Sequence, residues 1–169
     1  MKFRPINDLT ILLKENNVVS LRTAYIGDDG DLVDLRLTPV WVVSPLPESR
    51  PKGFDHVMED FTLLYRHRRS ASEEEKLMRG FPNFRQRIKP MVFEHPPEFK
   101  LLWNDSGNSV ALFVSEEPWA FIDEKTHTGY SKGILKASDM RLWRKLKEKP
   151  VRPLPWDQEL YEKLFRDYL

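Results

Sequence analysis

The sequence predicts an α+β fold, with antiparallel strands at residues 18–44 and 84–135, a helical segment at 54–79 and a helix pair at 138–169. Strand-like runs cluster together instead of alternating with helices, which is typical of antiparallel sheets. The 169 residues are 40% apolar and include five Trp and ten Phe, enough to fill a core without disulfides or metals. We therefore expect a single domain whose last two helices form a C-terminal hairpin.

The first β-rich stretch predicts a hairpin. Residues 18–27 and 32–37 are rich in β-branched and alternating apolar residues. Between them, Asp29-Gly30 tolerates the positive φ of a type I′ turn. The apolar run "VWVVS" at 40–44 indicates a third strand, buried on both faces.

Apolar spacing predicts two helices in the segment 54–79 and a short helix before them at 9–17. In the first of the two, apolar side chains recur at helical intervals: Phe54, Val57, Met58, Phe61 and Leu64. Of this helix we expect four residues to be buried, Phe54, Val57, Met58 and Phe61, and two to be exposed, Asp55 and Glu59. The second helix has a capping box, formed by Ser70 with Glu73 or by Ser72 with Glu75, and ends at Gly80.

The second β-rich stretch predicts a meander of three short strands at 99–103, 108–114 and 119–123. Pro90 confines the run before them to a sheet edge or a bulge, because proline has no N–H to donate. The C-terminal helices each carry an apolar stripe that we expect to be buried. The stripes are Leu142, Trp143 and Leu146 in the first helix, and Trp156, Leu160, Leu164 and Tyr168 in the second.

The stretch "WAFIDEKTHTGYSKGILK" at 119–136 holds the densest group of reactive side chains. His127 beside Asp123 or Glu124 could act as a general base, and Ser131 could act as a nucleophile. Neighbours on one short loop usually point apart, however, and the glycines and threonines here are ordinary turn residues. We interpret the stretch as the polar turn of a hairpin. A small cysteine-free hydrolase or nuclease built on these residues is the alternative.

Basic residues suggest a different function. Between Arg141 and Arg152, six Lys or Arg residues stand against Glu148 alone. Residues of a basic helix face, Arg141, Arg144, Lys145 and Lys149, and of a strand edge, Arg85, Arg87 and Lys89, are the predicted partner-binding residues. Such surfaces suit the phosphates of a nucleic acid or an anionic protein. Because no catalytic constellation is recognisable, we favour a non-catalytic binding or regulatory protein with a protein or nucleic-acid partner.

The sequence also argues against several functional classes. The glycines form neither a P-loop nor a dinucleotide-binding motif, so we expect no cofactor. Without cysteine, and with four scattered histidines, no metal site is expected. No apolar run is long enough for a signal peptide or a membrane span, so we expect a cytoplasmic protein without membrane contact. A predicted edge strand and five tryptophans are compatible with a homodimer.

Overall fold

The computed structural model describes residues 9–38, 59–68, 70–79, 87–136, 144–146, 149–151 and 153–168. The strands in these ranges are β1 (Thr10–Asn16), β2 (Thr23–Asp28), β3 (Leu32–Leu37), β4 (Asp60–His67), β5 (Pro90–Met91), β6 (Phe99–Trp103), β7 (Val110–Val114), β8 (Glu117–Asp123), β9 (Thr128–Ser131), β10 (Arg144–Leu146), β11 (Lys149–Val151) and β12 (Leu154–Pro155). The helices are α1 (Ala71–Arg79) and α2 (Gln158–Phe165), and a 3₁₀ turn at Arg166–Tyr168 follows α2. Clustered, mostly antiparallel strands with few helices confirm the predicted α+β class.

Two five-stranded sheets contain most of these strands. Sheet 1 has the order β1-β2-β3-β4-β5, and sheet 2 has the order β12-β9-β8-β7-β6. The predicted hairpin (β2–β3) and the predicted meander (β6–β7–β8) are both confirmed as antiparallel neighbours. Pro90 lies in the edge strand β5, as expected, and β5 runs parallel to β4.

The two sheets meet at β4. Their inner faces contribute to one buried apolar cluster, whose members include Ala24, Leu35, Leu112 and Ile122. The indole Nε1 of Trp119 in β8 donates a hydrogen bond to Leu64 O in β4, at 2.7 Å. Gly133, just after β9, packs so closely that a Cβ at this position would overlap the same carbonyl oxygen. Glycine is therefore required there by the distance between the sheets.

Helix α2 covers the outer face of sheet 2. Its N-cap Asp157 accepts a hydrogen bond from Leu160 N at 3.0 Å. Tyr161 and Phe165 are buried, with their ring centroids 5.9 and 6.2 Å from that of Phe121. The predicted stripe is thus displaced by one residue: Trp156, Leu160 and Leu164 are half-buried and Tyr168 is exposed. The aromatic rings of Tyr161 and Phe165, rather than the predicted stripe, therefore pack on Phe121.

The predicted helix within 54–67 is wrong where it is described, because Asp60–His67 forms β4. Every residue from Asp60 to Arg66 is buried. A strand buried on both faces is apolar at nearly all positions and therefore also matches helical spacing. Phe61 is buried as expected, but Glu59, expected to be exposed, is only 1% exposed. The remaining residues of this prediction, Phe54, Asp55, Val57 and Met58, lie outside the described residues, as does the predicted strand at 40–44.

The predicted helix at 9–17 is also wrong, whereas the one beginning near Ser70 is confirmed as α1. Ser70 Oγ accepts the hydrogen bond of Glu73 N at 3.4 Å, as an N-terminal cap does. Residues Thr10–Asn16 instead form β1, which pairs antiparallel with β2. A short isolated helix is marginal in water, while β2 offers a full row of backbone partners.

The C-terminal helix pair is only half confirmed. Its second helix is α2, but Arg144–Leu146 of the first is β10, paired antiparallel with Lys149–Val151. In a helix, the basic residues three and four positions apart would repel one another, and Pro150 would end it. The basic helix face of Arg144, Lys145 and Lys149 therefore does not form, and Arg141 lies outside the described residues.

The β2–β3 turn differs in type from the prediction. Of its residues Asp29, Gly30 and Asp31, only Gly30 has a positive φ, at 90°. A type I′ turn requires two positive φ values. The carboxylate of Asp29 accepts hydrogen bonds from Asp31 N and Leu32 N at 2.8 and 2.7 Å, so a side chain fixes the turn.

The outer face of sheet 1 carries buried charges. Arg36 donates to the carboxylate of Asp34 at 3.0 to 3.2 Å, and its Nη1 lies 3.9 Å from Glu59 Oε2. Tyr25 donates its hydroxyl hydrogen to Glu59 Oε2 at 2.5 Å. All four residues are at most 7% exposed. Burial raises the pKa of Asp34 to about 6, although the nearby Arg36 guanidinium acts in the opposite direction.

This raised pKa predicts an unusual pH dependence of stability. The native state holds the Asp34 proton up to about pH 6, whereas an unfolded Asp releases it near pH 3.9, so the contribution of Asp34 to stability falls as pH rises from about 4 to 6. We expect the free energy of unfolding of the wild type, measured relative to that of Asp34→Asn, to fall by about 2–3 kcal/mol over that window. Urea denaturation at several pH values measures this difference.

Asp167→Asn serves as the control, because Asp167 is an exposed carboxylate in the 3₁₀ turn. A wild-type advantage over Asp34→Asn that grows with pH would instead mean that Arg36 holds the pKa of Asp34 below its ordinary value.

Candidate functional site

Three loops gather at the end of the molecule where β4 begins. They are residues 17–22, 104–109 and 124–127, and together we call them the loop end. Gly107 packs directly against the side chain of Asn17, which joins the first two loops. The backbone N–H of Glu124 donates to Ser109 Oγ at 3.2 Å, which joins the second and third. The loop end is therefore a connected surface built from both sheets.

Arg22 is the central residue of the loop end and is only 5% exposed. Its Nε donates to Thr38 O at 2.8 Å, and its Nη1 donates to Asn108 O at 3.1 Å. Its Nη2 donates to Asp60 Oδ2 at 3.4 Å. Burial lowers the pKa of the guanidinium, against the opposing influence of Asp60 and Glu124. One buried cation thus fixes the end of β3, the start of β4 and the loop 104–109.

Asp60 also holds His127. The Nδ1 atom of His127 lies 3.0 Å from Asp60 Oδ2 and 3.1 Å from Oδ1. The Asp60 side chain is 2% exposed, whereas the His127 side chain is 36% exposed. His127 adopts a positive φ of 54°, which is uncommon outside glycine. A buried carboxylate on Nδ1 is the arrangement that orients a catalytic histidine, although it also serves as a structural ion pair.

A second histidine–aspartate pair provides a comparison. His67 Nε2 lies 2.9 Å from both carboxylate oxygens of Asp28, and both side chains are partly exposed. The pairs differ in the ring nitrogen used and in the burial of the carboxylate. An orienting carboxylate binds Nδ1 and leaves the outer nitrogen for chemistry, so of these two histidines only His127 has the geometry of a base.

The acids predicted for His127 have other roles. Asp123 is buried and accepts hydrogen bonds from Lys125 N and Thr126 Oγ1, at 3.1 and 3.0 Å, which shapes the turn. Glu124 is half-buried beside Ser109. Ser131 is fully buried, and its Oγ accepts from Gly133 N at 2.9 Å, so it is not placed as a nucleophile. The polar-turn interpretation matches the turn between β8 and β9.

Exposed apolar side chains distinguish the first loop. Val18, Val19 and Leu21 are 88%, 69% and 51% exposed, and we call residues 17–21 the valine loop. Asn17 Oδ1 accepts hydrogen bonds from Val19 N and Ser20 N, both at 2.9 Å, and Leu21 N donates to Asn17 O at 2.9 Å. Leu21 has a positive φ of 63°, which costs a leucine about 1–2 kcal/mol. The loop is therefore fixed in shape while it displays apolar groups to water.

Sequence reasoning missed most of this site. Residues 18–27 were predicted as one strand, so the valines appeared to be sheet residues. The paired asparagines Asn16-Asn17 before them were the available signal, because Asn often caps a turn through its own side chain. Arg22 and Asp60 lie 38 positions apart, and no local pattern links them.

Two of the three strand-edge basic residues, Arg87 and Lys89, belong to the described part of the chain. Arg87 is buried at 8% exposure, and Arg85 lies outside the described residues. Lys89 is exposed, with its Nζ 5.3 Å from the ring centroid of Trp119. Arg144, Lys145 and Lys149 lie in the β10–β11 ribbon.

No protein-family model matches the sequence, and searches of curated proteins and of solved structures each return no match. Within the described residues, no group of three or more His, Asp or Glu side chains is placed to hold a metal ion. None of the helices described here has the length and apolar character needed to cross a membrane.

Arg22→Met tests the role of the central cation. The change removes three hydrogen bonds and leaves the Asp60 carboxylate buried without its guanidinium, so we expect a loss of about 3–5 kcal/mol in the free energy of unfolding. In the Arg22→Met variant, the backbone amides of residues 107–109 and 124 should gain more in exchange rate over the wild type than the amides of the core strands. Chemical denaturation and hydrogen exchange measure the two effects.

Arg79→Met is the matched control, because the Arg79 side chain is 77% exposed on α1 and we expect a change within about 0.5 kcal/mol. Equal effects of the two substitutions would show that Arg22 does not organise the loop end.

Proposed function

We propose that the protein is a non-catalytic binding module that contacts another protein through the valine loop. The single observation that carries this proposal is the display of Val18, Val19 and Leu21 on a hydrogen-bonded, strained loop. Apolar side chains that a fixed loop exposes to water are unfavourable, and their burial by a partner lowers the free energy of the system.

The distribution of exposed apolar residues supports this choice of surface. Eight large hydrophobic residues are exposed in the described part of the chain, and five of them lie between residues 11 and 21. Scattered exposed residues need no explanation, whereas a concentration within eleven positions does. The bracing by Arg22 and Asn17 also favours binding, because a preorganised surface loses little conformational entropy on association.

The basic segment 141–149 is proposed as a second contact for an anionic region of the partner. What supports it is the local excess of Lys and Arg over acidic residues. If the partner is a nucleic acid, fluorescence anisotropy with labelled DNA and RNA should detect binding whose affinity falls steeply as the salt concentration rises.

Val18→Asp with Val19→Asp tests the proposed contact. The two charges should prevent burial of the loop by a partner, and we expect at least about a tenfold loss of affinity, as for central interface residues. The measurement is quantitative mass spectrometry of proteins retained by the immobilised chain, followed by titration of the retained partner.

Val92→Asp is the matched control, since Val92 is 69% exposed, like Val19, but follows β5 at the other edge of sheet 1. A partner retained equally by all three proteins would refute the valine loop as its binding site.

A small hydrolase or nuclease is the second candidate function, and the contact between His127 and the buried Asp60 favours it. In this proposal His127 acts as a general base toward water, and Asp60 orients it in place of the predicted Asp123 or Glu124.

For this candidate we expect His127→Gln to lower turnover about 10²- to 10⁴-fold while the protein remains folded. His67→Gln is the control, because His67 belongs to the other histidine–aspartate pair. Chromogenic esters and labelled single-stranded nucleic acids are suitable substrates. This role for His127 would be excluded if the wild-type protein turned over neither class of substrate, or if His127→Gln and His67→Gln had equal activity.

A further inference from the structure

Strand β1 is an unusual edge strand. It is outermost among the described strands of sheet 1, and six of its seven residues are exposed. Of the other outer strands, β5 and β12 are two residues long and contain Pro90 and Pro155, which lack the N–H that a further strand would need. The outer strand β6 has five residues and no proline, but only one of its residues, Lys100, is exposed. Strand β1 likewise contains no proline, and it leads directly into the valine loop.

We propose that β1 accepts an extended segment of the partner protein as an added antiparallel strand. This inference rests on the proposed function and specifies how the partner is recognised. Strand addition supplies affinity through backbone hydrogen bonds and specificity through the side chains that face each other across the strands. The direction follows sheet 1, in which β1 pairs antiparallel with β2, β2 with β3 and β3 with β4.

The register of β1 defines what the added strand must carry. In the regular segment Leu13–Asn16, Leu13 and Glu15 lie opposite the core residues Ile26 and Ala24, while Lys14 lies opposite Tyr25 on the outer face. Glu15 is already positioned, because its Oε1 accepts from Trp103 Nε1 at 2.8 Å.

Directly opposed residues of antiparallel strands share a face, and opposite charges there attract. The complementary strand therefore carries a basic residue opposite Glu15, an acidic residue opposite Lys14 and an apolar residue opposite Leu13. From its N-terminus it reads basic, acidic, apolar.

A second copy of the chain fits this edge less well. Two identical antiparallel strands are related by a twofold axis perpendicular to the sheet, so the pairing is centred on one residue. Centred on Lys14 or on Glu15, the pairing sets two like charges directly opposite each other. The register of β1 against β2 shifts between Ile11 and Leu13, so the strand is irregular at Leu12. This irregularity interrupts a self-pairing centred closer to the N-terminus than Lys14. The charges of β1 thus favour a heterologous strand.

The test uses the full chain and two labelled nine-residue peptides of alternating threonine and valine. One has lysine–glutamate–valine at its centre, and the other has the lysine and glutamate exchanged. We expect the lysine-first peptide to bind about fivefold tighter or better in fluorescence anisotropy at low salt. We also expect the combined change Lys14→Glu and Glu15→Lys to reverse the preference. Amides of β1 should exchange more slowly when the favoured peptide is bound.

Three results would overturn strand addition: no binding of either peptide at millimolar concentration, equal binding of both, or a preference that the charge exchange does not reverse. A concentration-dependent dimer in sedimentation whose β1 amides exchange more slowly than those of the monomer would assign the edge to a second copy and equally overturn the proposal. If Val18→Asp with Val19→Asp still prevents partner capture while the peptides fail, the binding function stands and only strand addition is wrong. If the peptides succeed and that variant captures the partner normally, β1 rather than the valine loop is the contact.

Discussion

The burial of β4 on both faces is the constraint on which the rest of the structure depends. Its inner face meets sheet 2 closely enough that Leu64 O accepts the Trp119 indole N–H and leaves no space for a side chain at position 133. Its outer face carries Phe61 and Leu63, which are also buried. The middle of the strand is apolar except for the buried Thr62, and its charged and ionisable residues, Asp60, Arg66 and His67, lie at its ends.

Those end residues connect the strand to everything around it. At the start of β4, Asp60 is held by Arg22 and lies beside His127. Near its end, Arg66 donates two hydrogen bonds to the Glu74 carboxylate, at 2.5 and 2.7 Å, and one to Ile88 O at 3.1 Å. A buried charge without a partner costs several kcal/mol, so each of these ions fixes the segment that pairs with it. Helix α1 and the segment 87–91 are attached at one end of the strand, and the loops are attached at the other.

The same buried contacts hold the loops of the loop end in fixed positions on the two sheets. Binding residues are commonly carried on loops that a rigid sheet scaffold positions, because loops tolerate variation that strands do not. Here the loops are fixed by side chains that point inward, Arg22 and Asn17, while the apolar side chains of Val18 and Val19 point to solvent. Strained backbone at Leu21 and His127 lies in the same region, and such strain persists only where surrounding contacts hold it. Inward polar and outward apolar residues reverse the usual pattern of burial, and this reversal is the feature on which the proposed partner contact rests.

The sequence by itself determined the elements whose pattern is local. The β2–β3 hairpin, the β6–β7–β8 meander, the capped α1 and the presence of α2 could be predicted, because alternation, turn residues and helical apolar spacing act over a few positions. Tertiary structure decided β1, β4 and β10. A strand buried on both faces reads like a helix, and short segments such as Thr10–Asn16 take the structure that their neighbour offers. The loop end was likewise decided by tertiary structure, since Arg22, Asp60 and His127 meet only when the two sheets pack. The cost of burying the Arg22 and Asp60 charges brings these residues together, and that cost depends on the folded environment rather than on spacing along the chain.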